Sequence, residues 1–383
     1  MTTSTLTRLP VVAPTGELSD LRARVRDFVR AEHERGGFTP VVNSWMSSWD
    51  RDFSRRLAAA GFLGMTIPAE YGGRGRTFLD RFVVNAELLA AGAPVAAHWF
   101  ADRQVAPAIL SSGTEAQKRR FLPAIAAGEA SFAIGMSEPD SGSDLASIRT
   151  QARRDGASSW RLSGTKVWTS GAHRADHILV LARTRAKDPA ARHAGMSQFI
   201  VDLTAPGIDV RPIISMDGEH HFNEVIFDQV PVADDALLGT EGNGWAQVTA
   251  ELAFERSGPE RFLSTQVLLE AIREHRDQLS PGWACELGRY SARLAALHQM
   301  SMSVAGAQSK GLDAAAVASV VKMLGTATES ELTEHISIEA TPAAPSALMD
   351  FVQQAVSTRA GFTLRGGTNE ILRGVLAREI GLR

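Results

Sequence analysis

FAIGMSEPDSGSD, residues 132–144, is the stretch at which the hydrophobic pattern of the chain changes. Its first four residues are small or apolar, and the rest are mostly Ser, Gly, Pro and Asp, which predicts that a β-domain opens here and then turns. Such a turn exposes backbone N–H groups and hydroxyls, which suit a flat polar ring or a phosphate. An ordinary Ser/Gly/Pro loop has the same composition, so the pattern alone leaves both interpretations open.

Helical patterns lie on both sides of a β-rich middle. Upstream, Leu21, Val25, Phe28 and Val29 recur at helical spacing, and from Trp245 onward Ala, Leu, Glu and Arg dominate. Between them, short β-prone runs alternate with turns at residues 160–168, 177–181, 198–203 and 224–230. The first of these runs is interpreted as a hairpin-like segment.

This order predicts an α+β chain in three parts. An N-terminal α-helical domain covers residues 1–130, of which 1–16 are expected to be a disordered tail. A middle β-domain, a small barrel or sandwich, covers 131–240, and a C-terminal α-helical domain covers 241–383. The last helix is predicted to run from Thr368 to Glu379, after a pair of glycines.

The composition restricts the class of protein. Of the 383 residues, 44% are hydrophobic and 22% charged, which is typical of a globular protein with a large core. The 40 Lys and Arg residues against 43 Asp and Glu give a net charge of −3, which argues against nucleic-acid binding. The single cysteine, Cys285, fits a reducing compartment. No long apolar run and no signal-like start are seen, so a cytoplasmic protein that does not bind membranes is expected.

Two further segments suit a cofactor. GTKVWTSG at 164–171 places a Trp before two hydroxyl residues, which could stack on an aromatic ring and bond its edge, although a core Trp on a strand is the alternative. RGGTNEIL at 365–372 leads glycines into a helix start, whose unpaired amides favour anions, although most helix starts bind nothing. His220 and His221 lack further ligands at a supporting spacing, so no metal site is predicted.

Together these segments resemble the acyl-CoA dehydrogenase family of flavoproteins, and the resemblance spans most of the chain. Six stretches resemble family motifs in the family's order: IPAEYGG at 67–73, GTEAQKRRFLP at 113–123, SEPDSGSD at 137–144, EVIFDQVPV at 224–232, LG and EGNG within 238–244, and GTNEI at 367–371. The resemblance implies the family's fold, in which a β-domain lies between two helical domains.

The resemblance also implies an FAD enzyme that oxidises an acyl thioester between Cα and Cβ. The residues it implies for cofactor binding are Ile134, Met136, Ser137, Gly142, Ser143, Trp168, Thr169, Ser170, Thr368, Asn369 and Glu370. It implies substrate contacts from Ser143, Arg256 and Gly367. The implied partners are acyl-CoA or an acyl-carrier-protein thioester, an electron-transfer flavoprotein or similar acceptor, and further copies of the chain in a homotetramer.

The resemblance implies that the catalytic base lies at a less common position in this chain. Many family members carry a Glu at the position of Gly366, which cannot accept a proton. A minority place the Glu on a helix after the β-domain, directly before an Arg, and this position corresponds to Glu255 and Arg256. Glu251 lies one helical turn earlier, and a solvated helix charge is the ordinary alternative for either residue. The resemblance therefore implies Glu255 as the base.

Two family motifs that hold the adenine end of FAD are absent. Residues 274–285 lack the R-x-x-F-G…Q pattern, and residues 339–346 stand in place of a Q-x-x-G-G-x-G segment. Two alternatives therefore stay open: a flavin-dependent monooxygenase or oxidase on the same fold, and a cofactor-poor subunit of a hetero-oligomer. The sequence determines neither the acyl group nor the choice between CoA and a carrier protein.

Overall fold

The structure is a computed structural model that describes residues 10–13, 15–340 and 345–382, with the backbone alone at 252–255. The tail predicted at 1–16 thus lies outside the described residues at 1–9 and 14. The chain folds as two compact units. We call Trp49–Gly75 with Ala96–Glu251 the sheet unit, and the described parts of Met1–Ser48, Arg76–Val95 and Leu252–Arg383 the helical unit.

The positions of helix starts follow from local sequence. The described helices are α1 Gly16–Glu34, α2 Ser44–Ser47, α3 Arg51–Ala59, α4 Phe78–Ala90, α5 Ala96–Phe100, α6 Ala106–Ser112, α7 Glu115–Ala126, α8 Gly244–Glu255, α9 Gln266–Glu274, α10 Trp283–Gln308, α11 Ala315–Glu339, α12 Ser346–Phe362 and α13 Asn369–Glu379. Thr77 and Thr114 form capping boxes with the third residues of α4 and α7, which satisfies amides that a helix start otherwise leaves unpaired. None of the helices in the described ranges has the length and apolar content of a membrane span.

The sheet unit contains one mixed sheet. Its strands are β1 Phe132–Gly135, β2 Gln151–Arg154, β3 Ser159–Ser170, β4 His177–Arg183, β5 Met196–Asp202, β6 Ile208–Ile214, β7 His220–Ala233 and β8 Leu237–Leu238. The strand order is β6-β7-β3-β2-β4-β5-β8, and β1 pairs in parallel with β4.

Both faces of the sheet are buried at β4. Ile178 and Val180 belong to one apolar core, whereas Leu179 belongs to a second core with Ile109 of α6 and Leu122 of α7. A strand covered on both sides has no polar face, which explains why the sequence of β4 is a continuous apolar run. The strands that carry the candidate site are therefore held on a framework that is packed from both sides.

The helical unit is organised around α11, which packs against α10, α12 and α13. Its core joins Leu332 and Ile336 of α11 to Leu268 of α9, Trp283 of α10 and Leu348 of α12. This packing holds the ends of the loop between α12 and α13, which contains the Gly-Gly pair of the sequence.

The predicted α+β fold class is confirmed, with helices before and after the sheet. The hairpin predicted at 160–168 is wrong, because β3 is one continuous strand whose pairing with β7 shifts register twice. The strand β6 was not predicted. It is an edge strand whose residues are mostly half-buried or exposed, and such an edge tolerates Pro212, so its apolar pattern is weak. The division into three domains stays a prediction.

Candidate active site

The turn after β1 is formed by the stretch at 132–144. β1 carries the half-buried Ile134 and ends as the chain leaves the sheet. The backbone then reverses tightly, since the N–H of Glu138 donates to the carbonyl of Ser141 and the N–H of Ser141 to that of Glu138. The reversal leaves Gly142 and Ser143 exposed. Met136, Ser137, Gly142 and Ser143, which are predicted to bind the cofactor, thus share one sharply folded segment, the β1 turn (136–144), whereas Ile134 lies on β1 itself.

Glu138 holds the β1 turn from inside. Its carboxylate accepts the N–H groups of Arg149 at 2.6 Å and Thr150 at 2.9 Å, and the Nζ of Lys166 at 2.8 Å. Lys166 also donates to the carbonyl of Met136 at 2.9 Å. Burial opposes the charge on Glu138, but Lys166 and the other donors outweigh it and lower the pKa of the carboxyl. Burial disfavours the charged form of Lys166 and lowers its pKa to about 8, although Glu138 attracts that charge.

A β-bulge in β3 presents Trp168. The pairing of β3 with β7 shifts register between Lys166 and Thr169, and Trp168 takes a φ of 58°. A bulky residue at positive φ is strained, and such strain persists only where the surrounding structure imposes it. Trp168 is 61% exposed, and its ring meets that of Phe222 edge-on, with ring centroids 5.7 Å apart. The bulge therefore turns a large aromatic ring out of the strand.

The β1 turn and the Trp168 bulge are directly joined. The N–H of Val167 donates to the carbonyl of Ser137 at 2.9 Å. Thr169 is buried beside Trp168, and its Oγ1 makes no hydrogen bond with any residue that the structure describes. Ser170 ends the strand. The structure thus brings the first two predicted cofactor segments together.

The third predicted segment lies in the helical unit. Gly366 and Gly367 have φ values of 67° and 86°, a region that other residues enter only with strain. Thr368 caps α13, because its Oγ1 accepts the N–H of Ile371 at 3.3 Å. The predicted helix start after the glycine pair is confirmed.

The two residues after this cap differ in burial. Asn369 is buried, and its Oδ1 accepts the Nζ of Lys322 at 2.8 Å, which also donates to the carbonyl of Thr363 at 2.7 Å. Glu370 is exposed, and hydrogen bonds from its own N–H and from Thr368 lower the pKa of its carboxyl. The side-chain oxygen of Asn369 is therefore engaged inside the unit, whereas Glu370 stays accessible.

A buried charged residue that no sequence pattern indicated lies against Gly366. A Cβ at position 366 would lie 2.9 Å from the Nη2 of Arg261, which is completely buried. The guanidinium groups of Arg261 and Arg365 lie 5.4 Å and 4.6 Å from the centroid of the Trp45 ring. Burial raises the pKa of Glu329 to about 7, although Arg365 and Arg261 attract its charge. Trp45, Arg261 and Glu329 lie far from Gly366 in the chain, so no local pattern indicates them.

The predicted base lies at the end of α8. The helix runs to Glu255, whose side chain is outside the described residues, so its role stays a prediction. Glu251, one turn earlier, is 8% exposed. Arg256, the predicted substrate contact, directly follows the helix and is half-buried.

Comparison with family models and curated proteins gives a consistent result. The models of the acyl-CoA dehydrogenase N-terminal and middle domains match residues 15–129 and 133–230. Acyl-CoA dehydrogenase IpdE1 of Mycobacterium tuberculosis is 42% identical over 206 residues, which are 54% of this chain and 53% of IpdE1, so the match spans about half of that relative. Acyl-CoA dehydrogenase FadE26 of the same organism is 34% identical over 354 residues, 85% of this chain and 86% of FadE26.

Two solved structures are similar over nearly the whole chain. The Tcur3481-Tcur3483 steroid ACAD has a TM-score of 0.83 and 29% identity, covering 98% of this chain and 99% of that chain. The ChsE4-ChsE5 complex from Mycobacterium tuberculosis has a TM-score of 0.78 and 30% identity, covering 96% and 97%.

Proposed function

Because the chain belongs to the acyl-CoA dehydrogenase family, we propose that it is an FAD-dependent enzyme that dehydrogenates an acyl thioester between Cα and Cβ. Family membership supports an acyl-CoA oxidoreductase. The observation that carries the flavin assignment is the junction of the β1 turn with the Trp168 bulge.

The residues at this junction fit a flavin ring. Trp168 offers an exposed aromatic face on a strained backbone, and apolar aromatic rings stack on flat heterocycles. Thr169 and Ser141 hold hydroxyls that are buried and make no hydrogen bond with the residues described in the structure. Buried hydroxyls normally have hydrogen-bond partners, so two that lack one among the described residues, one in the β1 turn and one next to Trp168 in sequence, support a polar ligand. FAD, when bound, supplies the acceptor for the hydride that leaves Cβ.

We assign the removal of the α-proton to Glu255. The proton of a thioester α-carbon is weakly acidic, so it requires a positioned carboxylate together with hydrogen bonds to the thioester carbonyl. Gly366, at the usual position of the base, has no side chain. Glu255 occupies the alternative family position, with Ser143 and Gly367 as substrate contacts.

The substrate class is proposed from the relatives. The chain is 29% identical to a steroid ACAD over nearly its full length. We therefore expect a thioester whose acyl group carries rings, bound to CoA, with an electron-transfer flavoprotein as the acceptor of the electrons.

The chain is expected to act in an oligomer. α11, α12 and α13 expose Leu324, Val356 and Ile371, and exposed apolar side chains on neighbouring helices are typical of interfaces. ChsE4-ChsE5 is a complex of two proteins. Together with the two missing adenine-end motifs, this favours a second candidate: a subunit of a hetero-oligomer that retains FAD only with a related partner chain. A homotetramer is the expectation if the chain binds FAD alone.

The visible spectrum of the purified protein tests these proposals. A flavin spectrum that acyl-CoA bleaches in the absence of oxygen would support the dehydrogenase. Thioesters with ring-bearing acyl groups should bleach the flavin faster than straight-chain thioesters do. A protein that is colourless and takes up no added FAD on its own would support the hetero-oligomer subunit. Light scattering that shows a monomer would argue against a homotetramer. A flavin that no thioester bleaches, with oxygen consumed when a reductant is added, would support a monooxygenase.

A further inference from the structure

Lys166 and Glu138 form a buried ion pair at the junction of the two flavin segments. Lys166 is completely buried and Glu138 is 7% exposed, with Nζ and Oε1 2.8 Å apart. Removing two charges from water carries a large desolvation penalty, and apolar residues of the same volume often stabilise a fold as well or better. The contribution of such a pair is therefore to be sought in the geometry that it specifies.

This pair ties together three separate chain segments. Glu138 accepts hydrogen bonds from the backbone N–H groups of Arg149 and Thr150, directly before β2, while Lys166 reaches from β3 to the carbonyl of Met136. A slipped β1 turn would lose several charge-assisted hydrogen bonds at once, and these are stronger than neutral ones. The pair thus discriminates against alternative positions of the turn.

The aliphatic stem of Lys166 packs where Gly135 has no side chain. A Cβ at Gly135 would lie 3.2 Å from the Cγ of Lys166 and 3.0 Å from the Cδ1 of Ile178, so any larger residue would crowd both side chains. The absence of a side chain at Gly135 lets the aliphatic stem cross β1 and deliver Nζ to the next residue, Met136.

The strained Trp168 lies two residues beyond this anchor. Lys166 is fixed by its side chain, and the N–H of the next residue, Val167, donates to the carbonyl of Ser137. The register shift follows immediately. Two consecutive residues, Lys166 and Val167, are therefore bonded to the β1 turn directly before the residue at positive φ. A strained backbone persists only where the surrounding structure holds it in this way.

We propose that the Lys166–Glu138 pair positions the β1 turn against the Trp168 bulge, and so sets the geometry of the flavin-ring site. Neither side chain needs to touch the cofactor: they are positioning residues. The inference rests on the proposed function, because it takes these two segments to be the walls of the ring site.

The test measures FAD affinity together with the visible circular dichroism of bound flavin, which reports the ring's surroundings. The variants are Lys166→Met, Glu138→Gln and the double variant, which leaves no unpaired buried charge. Arg161→Met is the matched control, since Arg161 lies on the same strand as Lys166 and forms an exposed ion pair with Asp155. The protein is studied as the full chain, with its partner chain if one is needed for FAD uptake.

We expect the double variant to fold with a melting temperature near that of wild type, yet to bind FAD roughly ten- to hundredfold more weakly and with altered dichroism. Arg161→Met should leave both unchanged. A purely stabilising pair predicts the reverse: single variants that melt earlier and a double variant that binds FAD as wild type does. That result would overturn the positioning role alone, whereas a wild type that takes up no FAD either alone or together with its partner chain would overturn the flavin assignment itself.

Discussion

Gly366 lies against a completely buried guanidinium, that of Arg261, and this contact bears on where a proton can be removed. A side chain at 366 would begin 2.9 Å from Nη2, on a backbone with a φ of 67°. A carboxylate there would be strained and would form an ion pair with Arg261. Position 366 in this chain is therefore unsuited to a base.

We expect Gly366→Glu to leave the activity of a Glu255→Gln enzyme unrestored. The new carboxylate would pair with Arg261, which favours its charged form and lowers its power as a base. The measurement is the rate of flavin reduction in the double variant, with Gly366→Ala as the control for backbone strain. Reduction faster than in Glu255→Gln alone would show that Arg261 moves aside.

The role of Glu255 has a direct test. Glu255→Gln keeps size and hydrogen bonding but cannot accept the α-proton, so flavin reduction by a good acyl-CoA should slow by roughly two to four powers of ten. FAD and acyl-CoA binding should be retained. Glu251→Gln is the matched control, one turn earlier on α8, and should be much milder. A wild-type rate in Glu255→Gln would contradict the assignment.

At the scale of elements, the bulge in β3 holds Trp168 in a strained backbone conformation, and this conformation exposes the ring. Left-handed backbone costs a bulky residue roughly 1–3 kcal/mol, and glycine relieves it. The Trp168 ring is mostly exposed, so its removal sacrifices little packing beyond the contact with Phe222.

The free energy of unfolding of Trp168→Gly should therefore lie within about 1 kcal/mol of the wild-type value, while FAD binds to this variant more weakly. Trp168→Ala should lose affinity in the same way without relief of strain. Denaturant unfolding of the apoprotein and titration with FAD separate the two effects. If Trp168→Gly bound FAD as tightly as wild type does, Trp168 would have no part in the ring site.

At the scale of the whole molecule, buried Glu329 couples stability to pH. Its pKa is raised from 4.5 to about 7 by burial, so the folded protein keeps a proton that the unfolded chain releases between these values. The contribution of Glu329 to stability is therefore full below about pH 4.5 and is lost as the pH rises through 7. This dependence of stability on pH is absent when Glu329 is replaced by the neutral isostere Gln.

We expect Glu329→Gln to gain stability relative to wild type as the pH rises from 5 to 8, by an amount on the order of 3 kcal/mol over the full range. The measurement is the free energy of unfolding of both proteins at several pH values. Parallel pH profiles would contradict the raised pKa. Glu334→Gln is the control, because Glu334 lies on the same helix as Glu329 but is exposed and pairs with Arg359. Its stability should depend on pH as that of wild type does.

The sequence by itself determined the order of the elements and the location of the two segments for which we propose cofactor binding. Period, capping residues and glycine turns act over a few positions, so α4, α7, α13 and the apolar run of β4 can be read locally. The motifs at 132–144 and 164–171 likewise carry their own composition, and together they indicate the family.

Only the tertiary structure decided how those segments meet. The pairing of Lys166 with Glu138 joins residues 28 positions apart, and the contact between Arg261 and Gly366 joins residues more than 100 apart. The bulge at Trp168 depends on the register with β7, and the edge position that hides β6 from the pattern depends on the whole sheet. Burial and register are properties of the assembled fold, because each depends on which distant residues exclude water from a given side chain.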